Sequence, residues 1–361
     1  MRPLAALVLG VTMLAAPASA QVDPGNALLE QRGWEALSAG DARAAAEAFR
    51  HAISADPRNA ALHLGAGVAA AAEHRDADAK LALERALDLD ARLLEARVML
   101  GQVLHRMGDA ASAMRHLERA VGEAPADQRL AEMLGRWRRE AELDDRMQYR
   151  LNERFTVSFD GPAEATLAAS ALESLDRAYW RIGKALSTYP NRPISVVLYT
   201  SEQFHDITRS PAWAAGVYDG RIRVPMAGAL DNPSELDRVL AHEFVHALVS
   251  TLAPRNVPMW LNEGLATSLE ADSLDWARDR VAHASVPISL NTLQSSFGRL
   301  TGDQAQVAYA TSALAVSRLL DEAGGFAIAN LLRDLGAGGD FDEAFLHRIQ
   351  RPFSALDRVE P

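Results

Sequence analysis

The sequence predicts a mainly α-helical protein in two parts, an N-terminal helical solenoid and a C-terminal α+β domain. From Gln21 to about Tyr149 the chain is rich in alanine and repeats with a period of 34 residues. After Tyr149, short segments with the alternation of strands are followed by a region that is helical in pattern from Ser234 onward. With 361 residues, the chain is long enough to bury two cores.

The N-terminus has the order of a secretory signal peptide. Arg2 precedes the apolar run from Leu4 to Ala16, and Ala18-Ser19-Ala20 forms an A-x-A cleavage site. A short membrane anchor is the alternative, but the run is too short to span a bilayer and lacks a stop-transfer flank. We therefore expect residues 1–20 to be removed after Ala20, leaving a periplasmic or secreted protein with no stable membrane insertion.

Composition excludes several classes of function. The chain has no cysteine, so disulfides, thiol catalysis and cysteine-based zinc sites are excluded, and a metal would need His, Asp or Glu as ligands. The formal net charge of -11 has the wrong sign for a nucleic-acid-binding protein. Proteins or peptides are the expected partners.

Five columns of residues keep the same 34-residue spacing over roughly residues 26–127. They place small residues where two helices approach, and a proline near the end of the unit. The columns are Gly33/Gly67/Gly101, Gly40/His74/Gly108, Phe49/Leu83/Leu117, Ala52/Ala86/Ala120 and Pro57/Ala91/Pro125. Chance periodicity in alanine-rich helices is the alternative.

This pattern resembles three tetratricopeptide repeats, with Ala91 departing from the expected proline. The resemblance implies an α-solenoid whose groove binds a protein or peptide partner. Residues 126–148, apolar on one side and charged on the other, are predicted as the capping helix that such an array needs. The solenoid is therefore predicted to span residues 21–148.

Residues 149–361 are predicted as a second domain. Its first part contains two strand patterns separated by a long helical one, and then an Asp-Gly turn between alternating residues, which is a strong hairpin signal. These are a strand at Phe155–Phe159, a helix from about Ala163 to Ser187, a strand at Ile194–Tyr199 and a hairpin over Gly216–Val224.

A helix predicted from Ser234 to about Thr251 carries the sequence His242-Glu243-Phe244-Val245-His246. Histidines at i and i+4 project from the same face of a helix, so both imidazoles can bind one metal ion, and Glu243 can reach a metal-bound water. This is the geometry of a zincin. Alone, the pattern is also compatible with two helix histidines that bind no metal.

The following helix supplies a third ligand. It begins after Pro258 and places Glu263 sixteen residues beyond His246. A helix, a turn and an antiparallel helix would bring that carboxylate back over the two histidines, which leaves a fourth coordination position open. Two imidazoles and one carboxylate suit zinc better than calcium or magnesium.

Trp260 to Ala266 resembles the WLNEGFA segment of the aminopeptidase N-like gluzincins. Together with HEFVH it is similar to the bacterial peptidase MA-like domains that often accompany tetratricopeptide repeats, over roughly residues 150–350. The resemblance implies a zincin-like metallopeptidase domain of α+β class. It also implies that His242, His246 and Glu263 bind Zn²⁺ and that Glu243 is the catalytic general base.

The chain departs from the aminopeptidases in two ways. The interval between His246 and Glu263 is shorter, and no GAMEN exopeptidase segment is present. The missing segment favours cleavage of internal peptide bonds over removal of a terminal residue. The predicted hairpin would then offer a free strand edge to an extended substrate, and Arg221 and Arg223 on one face would favour acidic substrates or be solvated edge charges.

Several residues have two interpretations. Tyr309 matches the place of a catalytic tyrosine in the family, where its hydroxyl would stabilise the oxyanion, but an aromatic packed in the core is equally compatible. Tyr218 is a weaker candidate for the same role. Asn262 would either orient Glu263 or a substrate, or face solvent at the helix start. Trp260 is predicted to pack and fix its helix.

The predicted function is therefore that of an exported zinc-dependent peptidase that hydrolyses polypeptides, with the repeats recruiting substrate or a partner. The alternative is a non-catalytic binding or scaffold protein in which the zincin domain is structural or degenerate. The intact Glu243 favours the enzyme, because a decayed site readily loses its general base.

Overall fold

The computed structural model describes residues 24–161, 165–208, 216–225, 232–254, 256–270, 273–294, 297, 300 and 302–356. The predicted signal peptide at residues 1–20 lies outside these ranges. The chain divides into two compact units between Glu142 and Leu143. Within the described ranges, no helix is both long enough and apolar enough to cross a membrane.

The N-terminal unit is built from consecutive helices joined by short turns, as the solenoid prediction requires. The helices are α1 (Pro24–Ala39), α2 (Ala42–Ala55), α3 (Ala60–Ala72), α4 (Asp76–Leu89), α5 (Leu94–Arg106), α6 (Ala110–Glu123) and α7 (Gln128–Asp144). They form three helical hairpins followed by α7, which packs through Leu130 and Leu134 against Leu117.

The repeated columns have identifiable physical causes. A Cβ atom at Gly33 would lie 2.6 Å from Phe49 Cζ, and one at Gly67 would lie 2.6 Å from Leu83 Cγ, so these glycines make room for the buried side chain of the next helix. Gly40, His74 and Gly108, which share a column, all adopt a left-handed conformation with φ of 83°, 55° and 85°. The period therefore encodes both the helix contacts and the turns.

The C-terminal unit contains a five-stranded mixed sheet in the order β1-β2-β3-β5-β4. The central pairs β2–β3 and β3–β5 are parallel, whereas β1 and β4 are antiparallel to their neighbours. The strands are β1 (Gln148–Leu151), β2 (Phe155–Phe159), β3 (Ile194–Tyr199), β4 (Val217–Tyr218) and β5 (Ile222–Pro225).

The remaining elements of this unit are helices. They are α8 (Ala165–Leu186), α9 (Ser201–Thr208), α10 (Pro233–Leu252), α11 (Met259–Glu270), α12 (Asp275–Ala282), α13 (Gly302–Ala323), α14 (Gly325–Gly336) and α15 (Phe341–Ile349), with short 3-10 helices at Leu290–Leu293 and Phe353–Ala355. Side chains of β2, β3 and β5 share one core with α8, α10 and α11. The other face of the sheet is covered by a smaller cluster that contains Leu143, Met147 and Phe204.

The predicted strands and the hairpin are present, and α8 and α10 begin and end within about two residues of the predicted bounds. The expected capping helix is too long, however, because α7 ends at Asp144 and β1 begins at Gln148. All four residues of β1 are exposed, so the strand has no buried alternation that the sequence could display. The mainly α class with a small mixed sheet is confirmed.

Candidate metal centre

Helix α10 carries the two histidines and the glutamate between them. Its N-terminus is fixed by Asn232, whose side chain accepts a hydrogen bond from the backbone of Glu235, and by Pro233 in the first turn. The helix packs against α11, which supplies Glu263. Helix α11 also packs closely against α13 at Gly264. Glycine permits this approach, since a Cβ atom there would lie 2.5 Å from the Ser312 carbonyl oxygen of α13.

The side-chain atoms of His242, His246 and Glu263 converge. The two Nε2 atoms are 3.1 Å apart, and Glu263 Oε2 lies 3.7 Å from that of His242 and 3.6 Å from that of His246. Tetrahedral zinc with bonds of about 2.0–2.1 Å separates its ligand atoms by roughly 3.3 Å. The triangle therefore has the size that zinc needs.

Both imidazoles are oriented through their other ring nitrogen. His242 Nδ1 lies 2.5 Å from Glu270 Oε2, and His246 Nδ1 lies 3.1 Å from Asn262 Oδ1. A carboxylate and an amide oxygen can only accept, so each Nδ1–H donates and each Nε2 keeps a lone pair for a metal. Asn262 thus orients His246, whereas the sequence suggested Glu263 or a substrate as its partner.

Glu270 is itself fixed by a hydrogen bond from an arginine. Its Oε1 accepts a hydrogen bond of 2.9 Å from Arg238 Nη1, and Arg238 also donates to both carboxylate oxygens of Glu235 at 2.9 and 2.6 Å. Sequence reasoning missed Glu270 and Arg238. A signal existed, since Glu270 follows Glu263 by seven residues and Arg238 precedes His242 by four, both helical spacings that keep residues on one face.

Glu243 is buried beside the histidines, with only 5% of its surface exposed. Burial raises the pKa of its carboxyl, against the opposing effect of His246 and His242. Its Oε2 atom has no hydrogen-bond partner within the described structure. A buried carboxylate with a raised pKa and an uncommitted oxygen is suited to accept and return a proton.

The carboxylates of the site favour a positive charge bound between them. Burial disfavours a charged imidazole at His242, but the neighbouring carboxylates of Glu263 and Glu270 outweigh it and raise the pKa of His242 to about 10. Burial acts against ionisation of Glu263 as well, yet the nearby imidazoles of His246 and His242 keep its pKa below the usual value. A divalent cation would satisfy the same two carboxylates without a proton.

The residues present therefore fit a bound zinc ion in spacing, donor type and charge. Their ligand atoms all lie within 4.8 Å of one another, and in the described ranges no second group of three His, Asp or Glu side chains meets this spacing. The uncommitted Oε2 of Glu243 is the oxygen that a general base needs.

Tyr309 packs against the core of this unit, in line with the second of its two interpretations. Its ring packs edge-on against Phe297 at 5.2 Å between centroids. Burial, followed by the charges of Glu263 and Glu243, raises the pKa of its hydroxyl, so the phenol keeps its proton. The catalytic interpretation of Tyr309 stays a prediction.

The other hairpin residues singled out in the sequence are at least partly buried. Tyr218 packs against the core, and burial raises the pKa of its hydroxyl. Arg223 is only 5% exposed and donates to Asp219 and, at 2.7 Å, to the Tyr199 hydroxyl. Arg221 pairs with Asp144 at 3.1 Å. Buried Arg223 is therefore neither a substrate-binding residue nor a solvated edge charge, whereas Arg221 is a partly exposed edge charge with an acidic partner.

A mixed sheet packed on two helices that present two histidines and a glutamate defines a zincin-like domain. Residues 175–352 match the sequence model of the Peptidase MA superfamily, and residues 94–127 match that of the tetratricopeptide repeat. The chain thus carries a Peptidase MA superfamily domain preceded by a tetratricopeptide repeat. No curated protein matches the sequence.

Proposed function

We propose that the chain is a zinc-dependent peptidase that hydrolyses internal peptide bonds. The observation that carries this proposal is the triangle of His242, His246 and Glu263, whose ligand atoms are 3.1–3.7 Å apart beside the buried Glu243. The Peptidase MA superfamily domain supports peptide hydrolysis as the reaction class.

Each residue has a distinct task in this proposal. His242, His246 and Glu263 hold the zinc, which when bound supplies Lewis acidity for a water and for the substrate carbonyl. Glu243 accepts the proton of the attacking water on Oε2, the oxygen that is free of other partners, and returns it to the leaving amine. Tyr309, protonated because its pKa is raised, donates a hydrogen bond to the carbonyl oxygen as negative charge develops there.

Strand β4 is the substrate edge in this proposal. It is the last strand in the sheet order and pairs only with β5 within the described sheet. An extended polypeptide can pair with such an edge through its backbone, which needs no chain terminus and places few demands on side chains. Internal cleavage with modest sequence preference follows.

Export and partner binding complete the proposal. The signal-like segment at residues 1–20 supports a periplasmic or secreted location, with the mature chain beginning at Gln21. The repeats are the surface on which a protein substrate or partner would be recruited. Mature protein recovered from the exported fraction of producing cells should begin at Gln21, whereas an intact N-terminus there would contradict processing.

The deciding experiment compares three forms of the full chain against an unbiased peptide library. Wild type should contain one zinc per chain and cleave. Glu243→Gln should keep the zinc and lose nearly all turnover, because the base is removed and the ligands remain. His242→Ala combined with His246→Ala should lose the zinc. Equal turnover of wild type and Glu243→Gln would instead favour the scaffold protein without catalysis.

The bond that is cut is tested with a cleaved peptide and its N-acetylated twin. Internal cleavage predicts the same product masses and similar rates from both, since backbone pairing does not use the free amine. Products that lack only the first residue, together with loss of cleavage on acetylation, would reject internal cleavage and indicate an aminopeptidase.

A further inference from the structure

Gly216, directly before edge strand β4, lies against the side chain of Glu243. A Cβ atom at this position would be 2.7 Å from Glu243 Oε1, 2.8 Å from its Cγ and 3.0 Å from its Cδ. Distances under 3.0 Å are closer than non-bonded carbon atoms pack, so any residue other than glycine needs one of the two segments to move. The contact reaches the carboxylate itself.

The backbone does not demand glycine here. Gly216 is not among the glycines with positive φ, in contrast to Gly220 in the turn of the same hairpin, whose φ is 106°. An alanine would therefore cause no backbone strain at position 216. The requirement is for space, and the side chain that occupies the space is that of Glu243.

Neither backbone is free to retreat. Val217 pairs with Arg223 across the hairpin, and the buried Arg223 is tied to Asp219 and Tyr199. Tyr218, two residues after Gly216, packs against the core that α10 helps to form. Helix α10 in turn is packed into the core along its length. The movable part of the contact is thus the Glu243 carboxylate, whose Oε2 has no hydrogen bond to restrain it.

We propose that Gly216 is a positioning residue for Glu243: its missing side chain lets the edge strand approach and hold the carboxylate in its working position. This inference rests on the proposed function, in which Glu243 is the general base. It adds that the segment that receives the substrate backbone also sets the position of the group that moves the proton. A side chain at position 216 would displace that group while leaving the three ligands in place.

A thermodynamic cycle on the full chain tests the contact without any need for activity. Gly216→Ala should lower the Tm by about 2–4 °C, the low end for an overpacked core position in a domain of this size, because the Glu243 side chain can move although the two backbones cannot. In a Glu243→Ala background, which removes the atoms that the new methyl group meets, the same substitution should leave the Tm unchanged or raise it. If Gly216→Ala does not fold alone, folding of the double variant gives the same answer.

Kinetics and zinc content test the positioning role. Gly216→Ala should retain one zinc per chain and lose about 100-fold in kcat with little change in KM, because a displacement of about 1 Å can cost that much. The matched control is Gly302→Ala, where no atom of the described residues lies within 4 Å of the new Cβ and φ is not positive. The control should keep the kcat and Tm of wild type.

The outcomes separate this inference from the proposed function. Equal loss of Tm from Gly216→Ala in both backgrounds, or no loss in either, would overturn the contact with Glu243. Full turnover by Gly216→Ala in an active enzyme would overturn the positioning role. A wild-type chain that cleaves nothing would reject the proposed function alone, since the stability cycle would still report on the contact.

Discussion

At the scale of single residues, the buried carboxylate of Glu270 serves two neighbours at once. One oxygen accepts the Nδ1–H of His242 and the other accepts from Arg238. Its side chain is only 8% exposed, so each partner replaces a water that the carboxylate has lost. The orientation of a proposed metal ligand therefore depends on an arginine that does not itself reach the metal.

The first prediction concerns this chain of contacts. Glu270→Gln should weaken zinc binding by about 10- to 100-fold, as is usual for the partner of a metal-bound histidine, because the charged acceptor is lost. Arg238→Met should weaken it by a smaller factor, since Glu270 remains. Competition with a chelator of known affinity measures both.

The control for Arg238→Met is Arg348→Met. Arg348 forms a comparable pair with Asp334, at 2.6 and 2.9 Å, on α14 and α15. If both arginine variants weaken zinc binding equally, the effect reflects general loss of stability. Unchanged zinc affinity in Glu270→Gln would show that the contact with His242 does not tune the ligand.

At the scale of helices and strands, the sequence predicts elements whose side chains show a period and fails where they do not. Strand β2 alternates apolar and polar residues, β3 is a buried and mostly apolar run, and the Asp-Gly turn defines the β4–β5 hairpin. Strand β1 and the eight-residue helix α9 were not predicted, since β1 is exposed throughout and α9 buries only Phe204. The parallel pairing of β3 with β5 depends on long-range packing that local pattern does not contain.

The residues of the candidate site also differ in whether the sequence predicts them. His242, Glu243 and His246 follow from spacing within one helix, and Glu263 from the motif that begins the next. Glu270 and Gly216 act through contacts between different elements. The sequence shows the spacing of Glu270 from Glu263, but not the neighbours that Glu270 and Gly216 contact.

The second prediction concerns how α11 is held. Trp260, fully buried near its start, stacks on Phe353 at 5.5 Å with an angle of 15° between the rings. Phe353→Ala should lower the free energy of unfolding by about 3–5 kcal/mol. It should also weaken zinc binding, because α11 carries Glu263, Asn262 and Glu270. Thermal unfolding and chelator competition measure the two effects.

Phe345→Ala is the matched control for that prediction. Phe345 is also buried and lies 5.6 Å from Phe353 between ring centroids, but belongs to α15 and has no ring contact with Trp260 among the described aromatic pairs. A similar loss of stability with a smaller loss of zinc affinity is expected. Equal effects of the two substitutions on zinc binding would show that the stack on Trp260 has no special role.

At the scale of the whole molecule, the chain falls into two units, and the position of their boundary has consequences. Contacts divide the chain before Leu143, whereas the sequence pattern placed the boundary at residues 148–149. The difference matters because Leu143 and Met147 are buried in a cluster with Val197, Tyr199 and Phe204 on the sheet. These two side chains follow the repeats in sequence but pack with the peptidase-like unit.

The third prediction therefore compares two C-terminal fragments. Residues 143–361 should fold alone and retain hydrolysis of small peptides, because their cores are complete. Residues 149–361 lack Leu143 and Met147, whose burial contributes about 1.5–3 kcal/mol each. In a unit of this size each kcal/mol corresponds to roughly 2–4 °C, so the shorter fragment should unfold about 10 °C lower.

Leu143→Ala with Met147→Ala in the longer fragment should reproduce much of that shift. Equal melting temperatures of the two fragments would show that the domain begins at residue 149, as the sequence pattern indicated, and an insoluble longer fragment that the repeats rescue would show that the repeats stabilise the peptidase-like unit.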